Sequence, residues 1–160
     1  MTKTSVPTTS TIDHWVSGAR VPGSSGRTAP VHDPATGQVT AHVALASAAE
    51  VDAAVKTAVA AAQEWRTSSL SRRAAVLFNF RELLHERTDE LAAIITSEHG
   101  KVLSDAAGEI ARGLENVEFA TGVPQLLKGG FSEQASTGVD VYSMRQPLGV
   151  VAGITPFNFP

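Results

Sequence analysis

Apolar positions along the chain switch between two periods, and the switches divide it into elements. His14-Trp15-Val16-Ser17-Gly18-Ala19-Arg20-Val21 reads as a strand, a glycine turn and a second strand, and the Gly23 to Gly26 stretch follows as a loop. Val31 to Val39 bends at Asp33-Pro34-Ala35-Thr36-Gly37, where Pro34 fixes φ and Gly37 permits positive φ. Thr40 to Leu45 alternates as a short strand, so an ordinary surface hairpin pair is expected here.

The period then becomes helical. Ser47 and Glu50 form a capping box, followed by Val51, Val55, Ala58, Ala62 and Trp65 on one face. The many alanines make this a thin helix suited to close packing on a sheet or another helix. Ser71 is expected to cap a second helix with the stripe Val76, Leu77, Phe80, Leu83 and Leu84. Thr88 is expected to cap a third, carrying Leu91, Ile94 and Ile95 and ending at Gly100, with His99 and Lys101 near the negative end of its dipole. Ser104 opens a fourth, with Ile110, Leu114, Val117 and Thr121 on one side and Gly122 and Pro124 as its stop.

Beyond the helices, Leu126 to Thr137 reads as a Gly/Ser-containing connection. Val139 to Arg145 alternates with period two and predicts an edge strand open to another chain. Leu148-Gly149-Val150-Val151-Ala152-Gly153-Ile154 is a short apolar run between Pro147 and Pro156, which predicts a strand buried on both faces in a parallel sheet. Such a strand needs neighbours, so the chain is expected to be the front part of a larger protein. The fold class expected is α/β, in four stretches: residues 1–11 a frayed tail, 12–130 hairpins and helices, 131–147 a bridging strand, and 148–160 the first strand and turn of a dinucleotide-binding sheet.

Composition narrows the function classes. A net charge of −3 gives no electrostatic basis for binding nucleic acid or an anionic membrane. The longest apolar run is too short to span a bilayer, and Met1 to Thr11 lacks the apolar core of a signal peptide, so a cytoplasmic protein is expected. With no cysteine the chain has no disulfide and no thiolate nucleophile, and its five histidines are too scattered to suggest a metal site.

Two residues remain as candidates for chemistry. Arg112 lies between Gly108 and Gly113, each of which costs about 1 kcal/mol in an exposed helix interior relative to alanine. Such glycines suggest close approach of a backbone or ligand. Arg112 is either a surface arginine paired with Glu109 and Glu115 or an anion-recognition arginine at a cleft. Asn158 stands just past the carboxyl end of the expected strand, where open α/β sheets bind ligands. Its amide either stabilises an oxyanion or shapes a proline-rich turn.

The stretch Gly149 to Pro160 resembles the first nucleotide-fold strand and Pro-aromatic-Asn-aromatic-Pro signature of the aldehyde dehydrogenase superfamily. The upstream order agrees: the Asp33 to Gly37 turn, the alanine-rich helix ending at Trp65, the Arg72-Arg73 helix start, and Glu98-His99-Gly100-Lys101 followed by Gly108-Glu109. Residues 108–120 and Phe157 are similar to the CoA-acylating methylmalonate-semialdehyde dehydrogenases. The resemblance implies an NAD-dependent oxidation of a semialdehyde, with decarboxylation and acyl transfer to coenzyme A. It implies Asn158 as the oxyanion-hole amide, Ile154, Thr155, Pro156 and Phe157 beside the nicotinamide end of NAD, and Arg112 on the substrate carboxylate. It also implies a homo-oligomer joined through Val139 to Arg145. The family's cysteine nucleophile and glutamate have no match in this chain, so the 160 residues alone are expected to be inactive. A non-acylating aldehyde dehydrogenase and a non-catalytic assembly module are the other readings.

Overall fold

The computed structural model describes residues 10–160. Its strands are β1 (Ser10–Ile12), β2 (His14–Val16), β3 (Ala19–Val21), β4 (Thr28–His32) and β5 (Val39–Ala44). Five helices follow: α1 (Ala48–Trp65), α2 (Leu70–Glu86), α3 (Thr88–His99), α4 (Leu103–Thr121) and α5 (Val123–Leu126). Strands β6 (Phe131–Ser136) and β7 (Val139–Tyr142) form a last hairpin. The chain is thus α/β, with one helix more than the periodicity predicts. The extra one is the four-residue α5, where Pro124 occupies a first-turn position that needs no amide hydrogen.

The expected hairpins are present. Ser17 and Gly18 both take positive φ (55° and 74°), the geometry that lets two residues close the twisted β2–β3 ribbon. In the β4–β5 turn, Asp33 Oδ1 accepts from the amides of Ala35 (2.7 Å) and Thr36 (3.1 Å), while the Gly37 amide donates to the Asp33 carbonyl at 2.8 Å. Strand β5 is central, antiparallel to β4 and parallel to β1, and supplies the buried Ala41 and Ala44. Most of the expected tail lies outside the described residues, but Ser10 and Thr11 belong to β1. Pairing with β5 satisfies backbone groups that the polar side chains gave no reason to expect in a strand.

Two helix starts differ from expectation. Ser69, not Ser71, caps α2 by accepting from the Arg72 amide, because starting at Leu70 puts Leu70, Ala74 and Leu77 on the inward row. Thr88 lies inside the first turn of α3, and its hydroxyl donates back to the carbonyls of Leu84 and His85, so Arg87 alone separates α2 from α3. Helix α4 begins at Leu103, one residue before Ser104, without a side-chain cap. The capping box of α1 and the left-handed Gly100 at the end of α3 (φ 85°) form as expected.

The packed centre is small. Ala92 of α3 meets Ala106 and Ile110 of α4, with Leu91, Ile95 and Ala107 around them. Alanines at the contact let the helix axes approach closely. On α2 the expected stripe divides: Leu77 and Leu84 face inward, while Val76, Phe80 and Leu83 stay exposed. Helix α1 has no buried residue.

Two expectations about the last third of the chain are corrected. Phe131 to Ser136, expected as connection, is β6 and pairs antiparallel with β7, so the strand expected to await another chain has one edge already filled. Residues 148–160 form no strand, and Leu148 is 95% and Ile154 100% exposed. Apolar content alone cannot make a buried strand. Its backbone groups and both faces need neighbours, and no described strand lies beside it.

Candidate functional site

Helix α3 stops at Gly100 because that residue turns left-handed, and the turn aims the chain into α4 within two residues. A Cβ on Gly100 would come within 3.1 Å of Pro34, so the β4–β5 turn closes against this corner. The first three turns of α4 then present Ser104, Asp105, Gly108, Glu109 and Arg112 to one side. The far end of the chain brings Asn158 and Phe159 to the same place. Together with His99 and Lys101 these residues line an open cleft of about 510 Å³.

Lys101 joins the two halves of the cleft. Its ammonium is ion-paired with Glu109, donates to the Asn158 carbonyl oxygen at 3.3 Å, and lies 5.4 Å from the centre of the Phe159 ring. The Lys101 and Glu109 side chains are only 12% and 11% exposed. Glu109 Oε2 is buried with no hydrogen-bond partner among the described residues. In the sequence Lys101 stands as a cation at the end of α3 and as part of the Glu98-His99-Gly100-Lys101 resemblance, neither of which names its partners. It also precedes the start of α4, where the helix dipole disfavours a cation without an acidic partner, a signal that calls for a carboxylate nearby without saying which.

Arg112 lies one turn beyond Glu109 and is exposed. Among the described residues it forms no ion pair, so the pairing with Glu109 and Glu115, one of its two readings, is not made, and its guanidinium is open to an anion. Its backbone carbonyl accepts from Asn116 Nδ2 at 2.9 Å. Apart from its chain neighbours and its own helix backbone, no described atom lies within 4 Å of a Cβ built on Gly108, and the residue lines the cleft. Gly113 also faces open space but lies outside the cleft lining, so no described group explains it.

Of the sequence candidates, the structure therefore brings Arg112 and Asn158 into one cleft. Ile154, Thr155, Pro156 and Phe157 stay outside its lining, all of them exposed and Phe157 90% so. The described residues hold no cluster of three potential metal ligands, and none of their helices is long and apolar enough to cross a membrane.

Residues 21–160 match the aldehyde dehydrogenase family. The chain belongs to that family. It is 48% identical over 152 residues to a malonate-semialdehyde dehydrogenase of Geobacillus thermodenitrificans (strain NG80-2), covering 95% of this chain and 32% of that protein. Identity to the malonate-semialdehyde dehydrogenase of Pseudomonas aeruginosa is 44% over 150 residues, covering 94% of this chain and 30% of that one. Among solved structures, a proposed methylmalonate-semialdehyde dehydrogenase from Sinorhizobium meliloti 1021 complexed with NAD superimposes with a TM-score of 0.92 and 48% identity, covering 97% of this chain and 32% of that one. The methylmalonate-semialdehyde dehydrogenase of Oceanimonas doudoroffii follows at 0.83 and 45%, over 94% and 30%. The chain thus spans about a third of the length of the relatives it matches, and its fold is the N-terminal part of theirs.

Proposed function

We propose that the chain supplies part of the active site of an NAD-dependent, CoA-acylating malonate- or methylmalonate-semialdehyde dehydrogenase. The observation that carries this reading is the shared cleft, lined by Asn158, by Gly108 and by Arg112, which forms no ion pair among the described residues. A semialdehyde of this class has a carbonyl to be attacked and a carboxylate two bonds away. Arg112 would hold the carboxylate through charge-assisted hydrogen bonds, and the Asn158 amide would donate to the oxyanion formed from the carbonyl. Ile154, Thr155, Pro156 and Phe157 offer an accessible, largely apolar surface that fits the flat nicotinamide end of NAD. Bound NAD supplies the hydride acceptor for aldehyde oxidation. Coenzyme A is the co-substrate that takes the acyl group after the carboxylate leaves as CO2 or bicarbonate. The names of the relatives support this substrate class.

Two experiments test the reading. Titrating the isotopically labelled chain with malonate should shift resonances around Arg112 and Asn158. Arg112→Ala should lose about 1.5–3 kcal/mol of that binding, roughly ten- to a hundredfold in affinity. Equal binding by the variant would remove Arg112 from the site. Separately, the chain contains no cysteine to act as nucleophile, so mixing it with NAD, CoA and malonate semialdehyde should yield no NADH. Clear turnover would sink that part of the proposal.

A second role is compatible with the first. Every residue of β6 and β7 is exposed, including Phe131, Val139, Val141 and Tyr142. We propose that this hairpin, with the Val139 to Arg145 segment at its free edge, joins copies of the protein into a homo-oligomer.

A further inference from the structure

Lys101 makes contacts that its neighbours in sequence do not explain. Its ammonium meets a carboxylate eight residues on, a carbonyl fifty-seven residues on, and the ring next to that carbonyl. A nearly buried ammonium is stable only when its charge is answered, and Glu109 answers it. Glu109 Oε2 has no partner among the described residues, so the Glu109 carboxylate depends on Lys101 as much as the reverse. The segment that Lys101 holds is otherwise weakly attached. Ile154 and Phe157 are almost entirely in solvent, and residues 148–160 lack strand pairing.

We infer that Lys101, oriented by Glu109, is the positioning residue that fixes the Asn158 turn against α4. Glu109 and Arg112 share one rigid helix, three residues and about 4.5 Å of rise apart. Pinning the Asn158 carbonyl to the Glu109 end of that interval sets where the Asn158 amide stands relative to the Arg112 guanidinium. The functional meaning of that spacing rests on the roles proposed above for Asn158 and Arg112, whereas the pinning itself is a property of the chain. Phe159 adds direction: the ammonium sits over its ring face, so the turn is held at two consecutive residues and cannot pivot about one hydrogen bond.

Lys101→Met is the informative variant, because it keeps the length and apolar stem while removing the ammonium. In the labelled 160-residue chain, the Asn158 carbonyl carbon and Phe159 ring resonances should move, and the amides of Phe157, Asn158 and Phe159 should sharpen as the turn gains motion. The resonances of Ala92, Ala106 and Ile110 should stay in place. Lys101→Arg, which retains cation and donors, should return the Asn158 and Phe159 signals toward their original positions. Phe159→Leu approaches from the exposed side without touching the core, and should abolish the ring-current shift of the Lys101 side chain. Unmoved Asn158 and Phe159 signals in Lys101→Met would overturn the inference. So would shifts of the core resonances as large as those of the turn, since Lys101 would then serve the fold in general. Malonate separates the two ideas: Lys101→Met should weaken its effect on the Asn158 amide but not on the Arg112 guanidinium. If malonate leaves the unmodified chain unchanged, the carboxylate role of Arg112 falls, while the Asn158 carbonyl still decides the role of Lys101.

Discussion

Glu50 holds together two segments that share no regular structure. Its carboxylate accepts from the Ser47 amide and hydroxyl, both at 2.8 Å, and from the Ser24 amide at 2.6 Å. One acid therefore closes the capping box of α1 and ties down the Gly23 to Gly26 loop. The backbone donors, Ser47 first and Ser24 next, hold its pKa down at about 2, from an ordinary 4.5. Because the folded value is the lower one, this stabilisation is complete above about pH 4.5 and is lost as pH falls toward about 2. Urea unfolding should show it. Between about pH 7 and about pH 3 the midpoint should fall further for the unmodified protein than for Glu50→Gln, which starts lower and responds less. Parallel pH profiles would mean that the loop tie contributes nothing. Gly23 explains why the loop can come so near: a Cβ there would lie 2.7 Å from that of Ala44.

At the scale of elements, the sequence was most legible where one local signal sufficed. The capping box, the Asp33 turn and the Gly100 stop each depend on a few adjacent residues, and each forms as expected. Legibility declined where the outcome depended on distant neighbours. Val76, Phe80 and Leu83 have helical spacing as good as that of Leu77 and Leu84, yet only the latter are partly buried. The terminal apolar run has the composition of a buried strand but no described strand to pair with. The cleft shows both cases. Arg112 was visible through its flanking glycines, whereas the Lys101–Glu109–Asn158 link joins residues too far apart for spacing to suggest it. The α3–α4 contact offers a direct test of how tightly the elements meet. Ala106 is fully buried at this crossing, so Ala106→Leu should overpack it and cost about 1–3 kcal/mol. A variant that melts with the parent protein would show that the helices separate easily enough to admit the larger side chain.

At the scale of the molecule, surface decides behaviour. The accessible area is 12609 Å², against about 7,600 Å² for a compact monomer of this mass. The excess is several times the roughly 800 Å² that each partner contributes to a standard interface. Exposed apolar side chains occur at several places, among them the groove between the β2–β3 ribbon and α1, with Trp15, Val51 and Val55, and the β6–β7 hairpin. These surfaces differ in what they can do. The groove presents side chains only, whereas the hairpin also has free backbone donors and acceptors along its edges, which favour pairing with a second copy in register. The chain should therefore associate as its concentration rises, and sulfate should strengthen the association by favouring apolar burial. Val141→Lys places a charge on the hairpin without altering any buried contact, since Val141 is already 51% exposed. Sedimentation velocity over a concentration series should show the parent shifting to larger species and Val141→Lys remaining monomeric. Val51→Lys, on the groove side, should leave the shift intact. If the two variants behave the other way round, copies meet through the α1 groove, and the hairpin is free for a different contact.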